Sequence, residues 1–298
     1  MIRGLYTAAA GMIANQRKHD AVTANIANLN TPGYKAQQAV ARSFPEVLIR
    51  IMNEGPAGQT RPIGTLHTGV FVEEYLPVFT QGVLQETGNP YDLALESHIR
   101  VFEEVDGEQV EIVFDPSGIG TNQAGETVYR PQAFLAVWNN GGEVRYTRNG
   151  KLYVDADGFL RTADGMRVLG ADGAPIVLDR SLELIRVAPD GALLDENGVP
   201  LPGEPRLYIA RVDNPFRLVR EGNGLFRFEP AGEDEAAPGL AAPGDFTIHQ
   251  GYLEQSNVDP AQSMVDLLTA LRSYEANQRV IQYLDRVLEK AANDIGRV

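Results

Sequence analysis

Cysteine is absent from the 298 residues of this sequence, which excludes disulfide bonds, thiolate metal sites and a cysteine nucleophile. Basic residues are scarce, since 26 lysines and arginines are outnumbered by 40 aspartates and glutamates and the formal charge is −14. A protein that binds nucleic acid needs the opposite balance, so we expect no nucleic-acid partner. Long apolar runs are also missing. No stretch reaches the roughly 18 residues of a membrane span, and the N-terminus lacks the apolar core of a cleaved signal peptide.

The usual signatures of an active site are missing as well. The sequence has no Gly-x-Ser-x-Gly elbow and no Walker phosphate-binding loop. The histidines are far apart and no two of them have the spacing of a helical ligand pair; they are His19, His67, His98 and His249. We therefore expect no catalytic residue, no metal and no cofactor, and a protein that is not an enzyme.

The charge is distributed unevenly along the chain. Residues 1–35 carry +3 and residues 252–298 carry −2, so residues 36–251 carry −15. A length of 298 residues corresponds to about two domains. We expect the acidic middle to be solvated and the nearly neutral ends to be free to associate.

The N-terminal end has a weak helical pattern. The first 29 residues contain no proline and place a seam at alternating spacings of four and three, which is the helical period. The seam includes polar residues and consists of Leu5, Ala9, Met12, Gln16, His19, Thr23 and Ile26. A lone helix with so few apolar residues is marginal in water, so we expect a partner to cover it.

The C-terminal end has a stronger helical pattern. Asp259 can cap a helix that starts at Pro260, and Gln262 stands where a capping box closes. The apolar stripe that follows consists of Met264, Leu267, Leu268, Leu271, Tyr274, Ile281, Leu284, Leu288 and Ala291. The pattern predicts a helix from 260 to about 293, a length that is typical of coiled coils.

The middle of the chain predicts a meander of short strands. Asp106-Gly107 and Asn149-Gly150 each lie between two β-prone runs, which predicts two hairpins. The dipeptide Asp-Gly recurs at positions 157, 164 and 172 as further turns. Trp138, the one tryptophan, ends an apolar run in which we expect core packing. Residues 53–65 and 229–245 are rich in glycine and proline or in acidic residues, and we interpret both as exposed loops.

The end of the N-terminal helix has an unusual sequence. Pro32 and Gly33 suit the two central positions of a type II turn, so the chain reverses there. The turn and its flanks include Asn28, Asn30, Thr31, Pro32, Gly33 and Tyr34. The whole string from Thr23 to Lys35 resembles the N-terminal signature of the bacterial flagellar rod and hook proteins.

Further strings resemble that family in the order that it requires. Gln81–Leu95 is similar to its Asn-Pro-Leu-Asp-Leu-Ala segment, and Tyr146–Gly150 to its Tyr-Thr-Arg-Asn-Gly segment. Gln250–Asp259 and Arg272–Gln278 are similar to its closing signature. The sequence departs from the family pattern over residues 98–131, which we interpret as an insertion in the β-rich part.

The resemblance implies a structural subunit of the flagellar basal-body rod, exported through the flagellar type III apparatus without a cleaved signal. It also implies that copies polymerise helically, with each other and with other rod or hook subunits, into the axial shaft of the basal body in the cell envelope. The length fits the distal rod and its close relatives. Two alternatives remain, a hook or hook-associated subunit of the same family and a monomeric β-rich module that binds the cell wall.

The predicted fold is a mainly β central domain with a coiled-coil-like helical domain built from both ends of the chain. The predicted divisions are an N-terminal helix, an extended linker, a β-rich domain and a C-terminal helix, at residues 1–35, 36–75, 76–251 and 252–298. We predict that apolar positions of the helices form the subunit interface. They are Leu5, Ala9, Met12, Ile26, Leu29, Met264, Leu267, Leu271, Tyr274, Ile281, Leu284 and Leu288.

Overall fold

A computed structural model of the chain describes residues 2–52, 60–105, 108–115, 117–139, 141–178, 185–232 and 236–295. The residues divide by their contacts into two units. The first, here called the terminal unit, combines the residues up to Ala27, Gln37–Pro77, and the residues from Val258 onward. The second, the central unit, combines Asn28–Ala36 and Val78–Asn257. The polypeptide therefore passes from one unit to the other four times.

Two helices lie at the ends of the chain, α1 at Ile2–Ala27 and α2 at Pro260–Ile295. The predicted cap of α2 is confirmed, because Asp259 Oδ1 accepts hydrogen bonds from the backbone N–H groups of Ala261 and Gln262 at 2.8 and 3.1 Å. The expected capping box does not form. The Gln262 side chain instead donates through Nε2 to Asp266 one turn further along, at 3.1 Å.

The two helices are antiparallel where they contact each other. A Cβ atom added at Gly4 would lie 3.4 Å from Leu284, and one added at Gly11 would lie 2.8 Å from the Asn277 side chain. The contacts of α1 therefore move toward the start of α2 as α1 advances. Glycine at position 11 allows this close approach, because a larger residue would meet Asn277.

The described residues of the terminal unit also form four strands, in place of the linker that the sequence predicts over residues 36–75. They are β1 (Gln37–Ser43), β2 (Val47–Met52), β3 (Thr60–Leu66) and β4 (Val70–Pro77). Strand β1 pairs with β4 and β2 pairs with β3, both antiparallel. Residues 60–65 of the predicted loop belong to β3, whereas residues 53–59 of that loop lie outside the described residues. The glycine and proline content suggested a loop, but a two-stranded ribbon tolerates proline. The ladder is irregular at this point, since its register shifts between Ile49, which pairs with Gly64, and Arg50, which pairs with Pro62.

Helix α1 also packs on the pair of strands β1 and β4. The Arg17 guanidinium donates to the Val72 carbonyl oxygen at 2.8 Å. Asn25 Nδ2 donates to the Gln37 carbonyl, and the Gln37 N–H donates back to Asn25 Oδ1, both at 2.8 Å. These bonds fix the end of α1 on the start of β1.

The central unit is built from short strands. In chain order they are β5 (Leu84–Glu86), β6 (Leu93–Ser97), β7 (Phe102–Val105), β8 (Glu108–Glu111), β9 (Ile119–Thr121), β10 (Thr127–Tyr129), β11 (Gln132–Trp138), β12 (Val144–Thr147), β13 (Leu152–Val154), β14 (Leu160–Thr162), β15 (Arg167–Val168), β16 (Ile185–Val187), β17 (Leu193–Asp195), β18 (Ile209–Val212), β19 (Leu218–Gly222), β20 (Leu225–Phe228), β21 (Gly239–Leu240), β22 (Phe246–Gln250) and β23 (Tyr252–Glu254). The largest sheet has the order β13-β14-β15-β11-β12-β20-β19, and β18 joins it by pairing with both β11 and β21. Pairs β22-β6 and β23-β5 bring the end of the unit to its beginning.

The predicted Asp-Gly turns occur where β13, β14 and β15 follow one another as an antiparallel meander. At the first of them Gly158 has φ +83°, which a residue with a side chain rarely adopts. Strands β7 and β8 form the predicted acidic hairpin, although its turn, residues 106–107, lies outside the described residues.

The predicted hairpin at Asn149-Gly150 is wrong. Strand β12 pairs with β11 and β20, whereas β13 pairs with β14. Gly150 meets the backbone of Leu93, to which its carbonyl oxygen is hydrogen-bonded at 2.9 Å, and an added Cβ would lie 1.6 Å from the Leu93 oxygen. Glycine stands there because two backbones meet, a requirement that local sequence does not reveal.

The core lies on both faces of β11. Ala133, Leu135 and Val137 point into the larger apolar cluster, and the alternate residues Phe134 and Ala136 point into a second one. This alternation follows from the two-residue period of a strand. Trp138 packs against the second cluster but is only half-buried. The expectation that it lies in a core is therefore confirmed in part.

Candidate functional site: the motif junction and the terminal helices

Segments from four family-like strings of the sequence meet inside the central unit. They supply Lys35, Gln81, Arg148 and Glu254, which contact one another although they lie far apart along the chain. We call these four residues, together with Asn257, the motif junction. The sequence reveals the strings but not the cluster of these side chains, because lysine, arginine and glutamate are usually solvated. The sequence offers only a weak signal, which is that Lys35, Arg148 and Glu254 are among the few charged residues of their strings.

A buried ion pair forms the centre of the junction. Lys35 Nζ lies 2.6 Å from Glu254 Oε1, and both side chains are almost fully buried. The ammonium group also donates to the Thr80 carbonyl oxygen at 2.8 Å, while the Gly82 N–H donates to Glu254 Oε1 at 2.9 Å. Both charges therefore have hydrogen-bond partners, as buried charges require.

Arg148 completes the network from the other side. Its Nη1 donates to the Leu95 carbonyl at 2.9 Å and lies 3.4 Å from Glu254 Oε2, and its Nη2 donates to Gln132 Oε1 at 2.9 Å. The guanidinium carbon is 5.2 Å from the centre of the Phe134 ring, within range of a cation–π contact. Arginine suits this position because its planar group can bond several acceptors at once.

Two cations therefore share one carboxylate in a buried site. Burial and the nearby Arg148 charge lower the pKa of Lys35 to about 8, an effect that Glu254 opposes but does not cancel. Burial likewise lowers the pKa of Arg148. Through Glu254 the two cations join segments that are far apart in the chain.

Asn257 ties together the segments that enter and leave the central unit. Its Oδ1 accepts from the Ala36 N–H at 2.7 Å, and its Nδ2 donates to the Val78 carbonyl at 2.8 Å and to Thr80 Oγ1 at 2.9 Å. Ala36, Val78 and Asn257 are the residues at which the chain crosses between the units. One side-chain amide thus holds three of these crossings together.

The predicted turn residues lie beside the junction. The Tyr34 N–H donates to the Thr31 carbonyl at 3.3 Å and Gly33 has φ +69°, as a type II turn with Pro32 and Gly33 at its centre requires. A Cβ at Gly33 would lie 2.4 Å from the backbone of Arg148. Asn28 accepts from the Thr31 hydroxyl at 3.2 Å, and Asn30 is exposed. Tyr34 is buried, with the Arg220 guanidinium 4.1 Å from its ring.

The structure divides the predicted interface residues of α2 between two faces. One face follows the 3-4 spacing and is half-buried, with the predicted residues Leu267, Tyr274, Ile281, Leu284 and Leu288. Met264 and Leu271 lie off that face, and they are 58% and 44% exposed. The single stripe that the sequence suggested therefore contains two sets of residues with different surroundings.

The predicted residues of α1 are half-buried, namely Leu5, Ala9, Met12 and Ile26. Leu29 is half-buried as well, but it belongs to the central unit. The fully buried residues of α1 are others, and they are Ala8, Ala14, Ala21, Val22 and Asn25. The predicted seam does not include them, because a seam is read from large apolar side chains, whereas most of the buried positions hold small residues.

The structure brings together two histidines that are far apart in sequence. His249 Nε2 lies 3.1 Å and His98 Nε2 lies 3.6 Å from Glu96 Oε2, and all three side chains are partly exposed. Within the described part of the chain, no group of three or more His, Cys, Asp or Glu side chains has an arrangement that could hold a metal ion. Neither α1 nor α2, nor any other helix of these described residues, is long and apolar enough to cross a membrane.

Three family models match the chain. The model described as flagella basal body rod protein matches residues 5–35, the flagellar hook protein FlgE/F/G D1 domain matches 131–194, and the flagellar basal body rod FlgEFG protein C-terminal model matches 249–294. The first and third cover most of α1 and α2, and all three include residues of the motif junction or its neighbouring strands.

Relatives match along nearly the whole chain. The flagellar hook-basal body complex protein FlhO of Bacillus subtilis is 34% identical over 300 residues, which cover 100% of both chains. The flagellar basal-body rod protein FlgF of Salmonella typhimurium is 31% identical over 296 residues, covering 96% of this chain and 95% of its own. FlgG of Borreliella burgdorferi, also named a basal-body rod protein, is 29% identical over 305 residues and 98% of each chain. The resemblance seen in the motifs is confirmed, and this chain belongs to the family of flagellar basal-body rod and hook-basal body proteins.

Proposed function

We propose that this chain is a structural subunit of the flagellar rod and that copies of it polymerise helically through α1 and α2. The observation that carries the proposal is the set of large apolar side chains that the helices leave exposed. They are Tyr6 and Ile13 on α1 and Met264, Val265, Leu268, Leu271, Val280 and Tyr283 on α2. Apolar surface of this extent on two helices is typical of a surface that another chain covers.

The energy available from these side chains is sufficient for association. Full burial of a large apolar side chain contributes about 1.5–3 kcal/mol. Met264, Val265 and Leu268 are each a little more than half exposed, so burying what remains of each contributes roughly 1 kcal/mol. Several such side chains per contact, repeated along a filament, favour polymerisation at modest concentration.

We propose further that α1 and α2 pair as an antiparallel coiled coil within one subunit. The contacts of Gly4 with Leu284 and of Gly11 with Asn277 support this pairing, as does the 3-4 spacing of the half-buried residues of α2. The predicted interface residues then have two roles. Leu284 and its row pair the helices, whereas Met264 and Leu271 contact neighbouring subunits.

The acidic central domain, in this proposal, faces outward from the filament and keeps free subunits soluble. We propose that residues 1–35 and 252–298 assemble, that residues 76–251 form the β-rich domain and that residues 98–131 are an insertion in it. Residues 36–75, predicted as a linker, instead contain β1 to β3 and most of β4. We also propose that the partners are copies of the chain and other rod or hook subunits. The route to the basal body is export through the flagellar type III machinery without a cleaved signal, and the chain catalyses no reaction.

A wall-binding module would present exposed aromatic rings to glycan. Trp138, the one tryptophan, instead packs against the second core cluster.

The test is a substitution that leaves the fold intact and charges one exposed apolar position. Leu271→Asp should abolish or strongly reduce polymerisation, because a charge would have to be buried between subunits. Val177→Asp is the matched control, since Val177 is 54% exposed and lies in the central unit. Sedimentation and electron microscopy of purified protein measure the polymer. Equal polymerisation by Leu271→Asp and wild type would refute the assignment of this surface.

A further inference from the structure

Helix α2 carries charges in two rows that the proposed function does not use. At 100° per residue, four cations lie along the side opposite the half-buried face, namely Arg272, Arg279, Arg286 and Lys290. We call them the basic row. Arg272, Arg279 and Arg286 follow one another at intervals of seven residues, so they stay nearly in line over two heptads of the helix.

A row of anions lies about a quarter turn away from the basic row. It consists of Glu275, Asp285 and Glu289, and the uncharged Gln278 and Gln282 fill the positions between them. We call these anions the acidic row. All seven charged residues of the two rows are exposed.

The two rows do not neutralise each other within the chain. Among the described residues, none of the seven has an oppositely charged group within the 4.0 Å of an ion pair. Glu275 and Arg279 are four residues apart, a spacing that allows pairing on one helix, yet they are not paired. Both rows therefore present uncompensated charge along the same long helix.

We propose that the basic row of one copy of this chain contacts the acidic row of α2 in a second copy. The partner is identified by charge complementarity, because the two rows have opposite sign and run along the same part of α2. The contact uses two different surfaces, so each copy keeps one row free for a further copy. Contacts of this kind repeat in an open series and do not end at a dimer. The proposal rests on the proposed function, since it states which sides of α2 meet when copies polymerise.

The test uses two charge-reversed proteins. The basic-row variant is Arg272→Glu/Arg279→Glu/Arg286→Glu, and the acidic-row variant is Glu275→Lys/Asp285→Lys/Glu289→Lys. In either variant alone, like charges face each other at every contact. We expect the critical concentration for polymerisation to rise about tenfold or more, as three surface ion pairs are lost.

An equal mixture of the two variants should restore polymerisation. The reversed basic row of one variant then meets the reversed acidic row of the other, and every contact again joins opposite charges. Wild-type polymer should in addition weaken as salt rises, since exposed ion pairs are screened. Far-UV circular dichroism of each variant checks that α2 is retained.

The matched control reverses three exposed cations of the central unit, as Arg100→Glu/Lys151→Glu/Arg186→Glu. It changes the net charge as much as the basic-row variant does, so it should polymerise like wild type if the position of the charges matters. Polymerisation of both row variants alone at the wild-type concentration would overturn the proposal and leave the proposed function standing. If only the basic-row variant fails and mixing does not rescue it, the row binds an anionic partner of another kind and the proposal is wrong. Absence of polymer from the wild-type protein would refute the proposed function as well.

Discussion

Replacing Lys35 by methionine should change how the stability of the central unit depends on pH. An unfolded lysine titrates near 10.5, whereas burial and Arg148 lower the pKa of Lys35 to about 8 in the folded chain. Between these two values the unfolded chain binds more protons than the folded chain. The contribution of Lys35 to the free energy of unfolding therefore rises with pH. This contribution is complete above about pH 10.5 and is lost as the pH falls toward and through 8.

The size of the effect follows from the two pKa values. With 8 in the folded state and 10.5 in the unfolded state, the contribution of Lys35 should increase by about 2 kcal/mol between about pH 7.5 and 9.5. The Lys35→Met variant lacks the titrating group. The difference in the free energy of unfolding between wild type and variant should therefore shift in favour of wild type by that amount over the same range.

Urea unfolding followed by the fluorescence of Trp138 measures this difference, because Trp138 is the one tryptophan and lies in the same unit as Lys35. Lys151→Met is the control, since Lys151 is an exposed lysine of the central unit. In that variant Lys35 and its partners are unchanged, so its free energy of unfolding should rise with pH over this range as that of wild type does. A wild-type advantage over Lys35→Met that falls as pH rises would refute the reasoning, because it would mean that the bond to Glu254 outweighs the cost of burial.

Three further substitutions test other parts of the structure. Glu254→Gln should destabilise the central unit by about 3–5 kcal/mol, because two buried cations lose their counter-ion, and a urea midpoint close to that of wild type would contradict this. Gly150→Ala should lower the free energy of unfolding by about 3 kcal/mol or more, because the added methyl group overlaps the Leu93 backbone. Gly232→Ala is the control and should change it little, since nothing lies within 4 Å of that position. Similar melting temperatures for the two variants would argue against the close approach of Gly150 to Leu93. Asp259→Ala should weaken α2 by about 1 kcal/mol through loss of its cap, which thermal melts followed at 222 nm measure, and unchanged melting would show that the cap is dispensable.

The helices and turns could be predicted because their causes are local. Asp259 and Pro260 start α2 through their own dihedral angles and hydrogen bonds, and Pro32-Gly33 forms its turn within four residues. The Asn149-Gly150 hairpin failed for the opposite reason. Strand β12 lies between β11 and β20, and β20 begins at Leu225, so the pairing that decided the outcome is distant in sequence. Local turn chemistry cannot outweigh such long-range packing.

The junction and the buried positions of α1 were missed because residue type was a poor guide to burial there. Lys35 and Glu254 contributed only to the charge totals of the chain ends, and the seam of α1 does not include Ala14 and Ala21. In both cases tertiary contacts decide the burial, as β1 and β4 cover α1 and the Lys35 ammonium finds Glu254 across 219 residues of chain. Lys35, Arg148 and Glu254 are among the few charged residues of their strings, but nothing in the sequence indicates that they pair.

The charges of the junction have a physical role that apolar residues of the same size could not fill. A buried ion pair is often no more stabilising than well-packed apolar side chains. Lys35 and Arg148, however, also bond the carbonyl oxygens of Thr80 and Leu95, and Glu254 accepts from the Gly82 N–H. Apolar replacements would leave these backbone groups buried without partners, at a cost of about 1–3 kcal/mol each. A slip of one residue in any of the joined segments would separate a charge from its partner as well. We therefore assign the network to fixing the register of distant segments, rather than to net stabilisation.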